Sequence, residues 1–81
     1  EGLIMKNIYV SFDSIDSVKE FVGIISPYNT DFEIITGGEP IDAKSILGIF
    51  SIDLSRPVSL SIKECSDMEE ILQALKPFTV D

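Results

Sequence analysis

Residues 41–51, with the sequence IDAKSILGIFS, decide the fold because the residue pattern changes within them. The stretch follows a turn at residues 37–40 and is predicted to begin as an extended segment. Ser45 has a hydroxyl oxygen that can accept a hydrogen bond from a backbone N–H two or three residues later, which favours the start of a helix. Four large apolar residues come next: Ile46, Leu47, Ile49 and Phe50. The stretch therefore predicts a short helix with more apolar surface than it can bury, which is either part of the core or a docking surface.

Apolar periodicity divides the rest of the chain into strands and helices. Residues 4–12 and 58–62 contain alternating apolar positions, which predict strands with one covered face. Residues 15–25 and 68–75 have apolar positions at intervals of three and four, which predict amphipathic helices that include Ile15 in the apolar stripe.

Two further strands are predicted at residues 31–36 and 39–43, joined by a tight turn at residues 37–38. Ser66 and Glu69 have the spacing of a capping box at the start of the last helix. The element order is β-α-β-β-α-β-α, so the predicted fold class is α+β. We expect an open two-layer sandwich, with a four-stranded, mainly antiparallel sheet and three helices on one face.

Glycine occurs within two of the predicted helices. Gly48 leaves one flank of the short helix small enough for another segment to approach closely. Gly23 either lowers the stability of the first helix or allows close packing against it.

Length and charge limit the classes of function. The chain has 81 residues, which predicts one domain over residues 1–81, and whether residues 1–4 are native stays open. The net charge is −8, with only six Lys and Arg, so binding to nucleic acid or to an anionic membrane through a basic surface is not expected. No apolar run is long enough to span a membrane.

Cysteine and histidine usage gives no sign of a cofactor or a metal. Cys65 is the single cysteine, so no internal disulfide is possible, and there is no Cys/His cluster for zinc. We expect no metal and no cofactor, and a reducing, cytoplasmic location. No catalytic arrangement of side chains is suggested by spacing, so the chain is not expected to be an enzyme.

The central part of the chain resembles a known family. Residues 44–51, KSILGIFS, resemble the regulatory-serine segment of HPr, the histidine-containing phosphocarrier protein of the bacterial sugar phosphotransferase system. Residues 28–34, YNTDFEI, resemble the second strand of that family and its approach. The resemblance extends from about Lys6 to about Lys76, and the HPr-like fold that it implies has the same element order as the periodicity predicts.

The resemblance also places the phosphate-carrying site of the family on this chain. The family's histidine position aligns with Ser14, its arginine position with Asp16 and its proline position with Ser17. The sequence contains no histidine at all, so transfer of phosphate through an imidazole nitrogen is excluded. Asp16 would repel a phosphate that an arginine would bind.

Three other positions take roles from the resemblance. Ser45 aligns with the serine that a dedicated kinase phosphorylates in the family, and its alternative role is that of a helix cap alone. Lys44 beside it has a charge that could neutralise a phosphate, and the alternative is an ordinary surface lysine. Leu47 and Phe50 align with the apolar patch that docks partner proteins, and the alternative is that both are buried.

The sequence therefore predicts an HPr-like protein that is a non-catalytic regulatory or protein-binding module, with phosphorylation at Ser45 as its switch. The implied partners are proteins: phosphotransferase-system components, a serine kinase or a transcriptional regulator. The sequence leaves the oligomeric state open. Two alternatives stay open: a degenerate phosphocarrier that uses Ser14 or Asp16, and an HPr-like scaffold with an unrelated binding role.

Overall fold

The computed structural model describes residues 4–80. The elements in chain order are β1 (Met5–Val10), α1 (Ile15–Ile25), β2 (Phe32–Ile35), β3 (Ile41–Asp42), α2 (Ile46–Phe50), β4 (Val58–Lys63) and α3 (Met68–Ala74), followed by a 3-10 turn at Lys76–Phe78. This is the predicted order. No helix within residues 4–80 is both long enough and apolar enough to cross a membrane.

The four strands form one antiparallel sheet with the order β1-β4-β2-β3. One row of the register crosses the whole sheet through four apolar residues: Ile8, Leu60, Ile34 and Ile41. Leu60 and Ile34 in the middle of this row are fully buried. Since alternate residues of a strand point to the same side, this row marks the face that the helices cover. The predicted two-layer α+β fold is confirmed.

Each helix contributes a buried apolar side to the core. The fully buried helical residues are Val18, Phe21 and Ile25 of α1, Ile49 of α2 and Ile71 of α3. Phe21 also joins α1 to the segment after β1 and to the 3-10 turn, because its ring centroid lies 5.0 Å from that of Phe12 and 5.9 Å from that of Phe78. Edge-to-face aromatic contacts of this kind stabilise a core beyond the area that they bury.

The β2–β3 hairpin differs from the prediction. β3 contains only Ile41 and Asp42 rather than residues 39–43, and the predicted two-residue turn is a longer connection over residues 36–40. Gly37 has a positive φ of 93°, which favours glycine at this point. Pro40 has no N–H to donate to a ladder hydrogen bond, so pairing with β2 begins only at Ile41.

The start of α3 also differs from the prediction. The capping box of Ser66 and Glu69 is absent, because α3 begins at Met68 and its N-cap is Asp67, without a side-chain capping bond. The backbone N–H of Met68 donates to the carbonyl of Cys65 at 3.3 Å. This turn takes the chain past Ser66 before the helix begins, so Ser66 is outside the capping position.

The end of the chain is tied to β1, which the periodicity did not predict. Val10 forms an isolated antiparallel bridge with Thr79. The N–H of Ser11 donates to the carbonyl of Phe78, and the N–H of Val80 donates to that of Tyr9, both at 2.9 Å. These bonds satisfy part of the backbone at the outer edge of the sheet.

Candidate functional site

Ser45 is the N-cap of α2, as predicted. Its backbone is extended, and its Oγ accepts a hydrogen bond from the N–H of Gly48 at 3.2 Å. The side chain is half-buried. A Cβ at Gly48 would lie 2.9 Å from Cγ2 of Ile41 and 3.3 Å from Oγ of Ser45. The absence of a side chain at Gly48 therefore lets α2 pack directly against β3.

The apolar residues of α2 divide between the core and the surface. Ile49 is fully buried and Ile46 is half-buried, whereas Leu47 is 83% exposed and Phe50 is 39% exposed. Leu47 and Phe50 are three residues apart and lie on the same side of the helix. Of the two alternatives for these residues, complete burial is wrong for both. Large apolar side chains left in solvent on one helix are typical of an interaction surface.

Lys44 has contacts of its own in the structure. Its Nζ donates a hydrogen bond to the carbonyl oxygen of Tyr28 at 2.7 Å and lies 5.5 Å from the centroid of the Phe32 ring. The ammonium group is thus already bound between a backbone carbonyl and an aromatic ring. The role suggested by sequence proximity, to neutralise a phosphate on Ser45, stays a prediction, and the Lys44 side chain would have to give up these contacts to fulfil it.

Ser14, which the sequence resemblance aligns with the family's histidine, is the N-cap of α1. Its Oγ accepts from the N–H of Ser17 at 3.1 Å, and Oγ of Ser17 accepts from the N–H of Ser14 at 3.2 Å. These two residues form a reciprocal capping box that satisfies two backbone donors. Asp16 is exposed in the first turn of α1. The residues at this position start a helix, and their hydroxyl groups are engaged in that task.

A groove joins this position to α2. It has a volume of about 370 Å³ and its lining includes Phe12, Ser14, Ile15, Phe50 and Leu54. The structure therefore brings together Phe50 and the Ser14 position, which are far apart in sequence. The prediction that Ile15 belongs to the buried stripe of α1 is wrong, because Ile15 is 63% exposed at the mouth of the groove.

Sequence reasoning missed Ile15 and Leu54 as residues of this surface. The signal for Ile15 was its position directly after the N-cap, where a side chain lies at the end of the helix rather than over the sheet. Leu54 lies in the connector between α2 and β4, and it is half-buried. Nothing in its local sequence shows which element it contacts.

The connector beside the groove contains an ionised carboxylate. Oδ1 of Asp53 accepts hydrogen bonds from Oγ of Ser55 at 2.7 Å and from the N–H of Ser55 at 2.9 Å. These bonds lower the pKa of Asp53 below its ordinary value, and the charge of Arg56 acts in the same direction. Asp53 is therefore negatively charged at neutral pH.

Solved structures similar to this chain are HPr proteins. The phosphocarrier protein HPr from Bacillus anthracis strain Ames has 28% sequence identity and a TM-score of 0.67, over 99% of this chain and 100% of that chain. HPr-C-His from Thermoanaerobacter tengcongensis has 22% identity and a TM-score of 0.61, over 95% of this chain and 89% of that chain. The histidine-containing phosphocarrier protein of Mycoplasma has 14% identity and a TM-score of 0.63, over 91% and 89%.

The fold and these similarities define the class of the protein, which has the open two-layer α+β fold of the phosphocarriers. The structures from Thermoanaerobacter tengcongensis and Mycoplasma, at 22% and 14% identity, show the fold alone. The resemblance seen in the sequence is confirmed, and the chain is an HPr-like protein. No family model and no curated protein matches it.

Proposed function

We propose that this HPr-like protein is a non-catalytic regulatory or protein-binding module, which docks protein partners through Leu47 and Phe50 and does not carry phosphate on histidine. The observation that carries the proposal is the exposure of these two apolar side chains in a chain without histidine. This exposure supports a protein that keeps the partner surface of the family and lacks its histidine chemistry.

The position of Leu47 supports this function. Its side chain is almost entirely in solvent, so it contributes little to the stability of the domain. An apolar side chain that becomes buried only in a complex gives about 1.5–3 kcal/mol when burial is complete. Phe50, three residues later, adds an aromatic anchor of the kind that is enriched in binding hot spots.

Phosphorylation of Ser45 is the switch that we propose for this surface. A phosphate would add a charge of about −2 at neutral pH, two residues before Leu47. The phosphate would also stand at the N-cap of α2, where Oγ now accepts the N–H of Gly48 and where the backbone N–H groups favour negative charge. Both changes act on the helix that presents the docking residues. A serine kinase and a transcriptional regulator are the partners that this switch would need.

The alternative of a degenerate phosphocarrier gains no support from the contacts of Ser14 and Asp16. The Ser14 hydroxyl caps α1 just as the Ser45 hydroxyl caps α2, so capping alone does not separate the two serines, but Asp16 would add negative charge beside a phosphate on Ser14. A serine phosphate ester would also be a poor donor for onward transfer. An HPr-like scaffold with an unrelated binding role is the remaining alternative.

The phosphorylation test uses the intact protein, ATP and an HPr serine kinase, and locates the phosphate by mass spectrometry. We expect one phosphate on Ser45 and none in the Ser45→Ala variant. If the folded protein takes no phosphate, Ser45 is only a helix cap and the regulatory part of the proposal is wrong. Phosphate at Ser14 or Asp16 in place of Ser45 would favour the alternative phosphocarrier.

The docking test measures binding to the same kinase by calorimetry. Leu47→Ser should weaken binding roughly tenfold and leave the thermal unfolding temperature unchanged, because the side chain is exposed. Tyr9→Ser is the matched control, since Tyr9 is 60% exposed on β1 and does not line the groove. Equal losses in the two variants would contradict docking through α2.

A further inference from the structure

The groove between α1 and α2 has a mainly apolar lining. Phe12, which is buried, and Leu54 line it together with Ile15 and Phe50, and its polar lining residues are Asp13, Ser14 and Ser55. Ile15 and Phe50 lie on opposite elements and both keep part of their surface in solvent. A groove of this shape can accept a large apolar side chain between α1 and α2.

Carboxylates occur in and next to the segments that line this groove. Asp13 lines it and is exposed, Asp16 is exposed one residue after Ile15, and Asp53 is exposed one residue before Leu54. Charged residues of both signs occur in the first two turns of α1 and in the chain segments next to the groove. They are Asp13, Asp16, Lys19, Glu20, Asp53 and Arg56. Carboxylates thus outnumber cations in this region, and the whole chain has a charge of −8.

We propose that this groove binds a protein segment that inserts an apolar side chain between Ile15 and Phe50 and places Lys or Arg side chains against Asp13 and Asp16. This inference rests on the proposed function and adds the chemistry of the partner. Complementary charges around an apolar anchor steer encounter and exclude partners with acidic rims. Asp13 and Asp16 precede and follow Ser14 in sequence. A phosphate bound at this position would need positive charge there instead of these two carboxylates.

The probes for this inference are two short amphipathic helical peptides with the same leucine face, one flanked by lysines and the other by glutamates. Binding is measured by NMR on the isotope-labelled protein. We expect the lysine peptide to shift the resonances of Ile15, Phe50 and Leu54, and the glutamate peptide to bind at least roughly tenfold more weakly. The difference should shrink at about 0.5 M salt, where screening acts over a few Å.

A charge exchange tests whether the groove itself makes the selection. Asp13→Lys with Asp16→Lys should reduce binding of the lysine peptide by roughly fivefold or more. Glu64→Lys with Glu69→Lys is the matched control, because it changes the net charge equally at exposed residues that do not line the groove. An equal loss in the control would overturn the inference, since the net charge alone would then explain the preference.

The remaining outcomes separate this inference from the function on which it rests. If both peptides shift Phe50 and Ile15 with equal affinity, the surface docks apolar partners and the charge selection is wrong. If the lysine peptide shifts residues of other surfaces and leaves these two unchanged, the groove is not the site and the inference is wrong. If neither peptide binds at the groove, docking through this face is contradicted as well.

Discussion

Replacing Gly48 by alanine is expected to destabilise the protein, although alanine is the better helix former. A Cβ at this position would lie 2.9 Å from Cγ2 of Ile41, where ordinary contacts lie at 3.4–4 Å. Cγ2 belongs to a β-branched side chain with few rotamers, so it cannot easily turn away. Either α2 or β3 has to shift by several tenths of an ångström.

The size of the effect follows from two opposing terms. Overpacking of this kind costs about 1–3 kcal/mol, and exchange of glycine for alanine in a helix returns about 1 kcal/mol at most. We expect a net loss of about 1 kcal/mol. A domain of this length has a free energy of unfolding of about 4–12 kcal/mol, so the variant should still fold.

Gly23→Ala is the matched control for this change. Gly23 is exposed within α1, and a Cβ there would have nothing within 4 Å. The same substitution should therefore stabilise the protein by about 0.5–1 kcal/mol. Gly23 and Gly48 occur in similar helical patterns, and only their surroundings give the two variants opposite signs.

Urea unfolding measures both variants. With a slope of about 1 kcal/mol per molar urea, the two midpoints should differ by more than about 1 M. Removing Cγ2 with Ile41→Ala should make Gly48→Ala less costly, which a double-mutant cycle would report as favourable coupling. A Gly48→Ala variant as stable as the original protein, or no coupling to Ile41, would refute the close approach of α2 and β3.

Three further predictions follow from contacts on the surface. Ser45→Ala should lower the free energy of unfolding by about 1 kcal/mol through loss of the α2 cap, and an unchanged melting temperature would contradict this. Ser55→Ala should raise the pKa of Asp53 part of the way towards its ordinary value in an NMR titration, because the hydrogen bond from Oγ of Ser55 is lost while that from the backbone N–H remains. The pKa of Asp53 is lower in the folded state, so its contribution to stability is present above the unfolded pKa and is lost as pH falls through the folded pKa. Tyr28 donates a hydrogen bond to Glu70 at 2.8 Å, which raises the pKa of the phenol, and Glu70→Ala should lower it in an ultraviolet titration. The contribution of Tyr28 to stability is present below its unfolded pKa and is lost as pH rises through its folded pKa. An unchanged titration curve in Ser55→Ala or in Glu70→Ala would refute the corresponding contact.

The local sequence determined the element order and the cap of α2. Periods of two and of three to four residues depend only on the geometry of one strand or one helix, so they can be recognised within a short window. The cap at Ser45 is equally local, because the hydroxyl and the N–H of Gly48 are three residues apart. The lack of histidine, and with it of imidazole phosphate transfer, was also evident from the sequence alone.

The tertiary structure decided which apolar residues stay in solvent and which charges are free. Ile15 follows the same period as the buried residues of α1, yet as the first residue of the helix it remains exposed. Lys44 is a neighbour of Ser45 in sequence, but its ammonium group binds the carbonyl of Tyr28. The groove that joins Ile15 to Phe50 likewise depends on contacts between distant segments. Periodicity shows which side chains share a face, but only the packing of one element on another shows whether that face is covered.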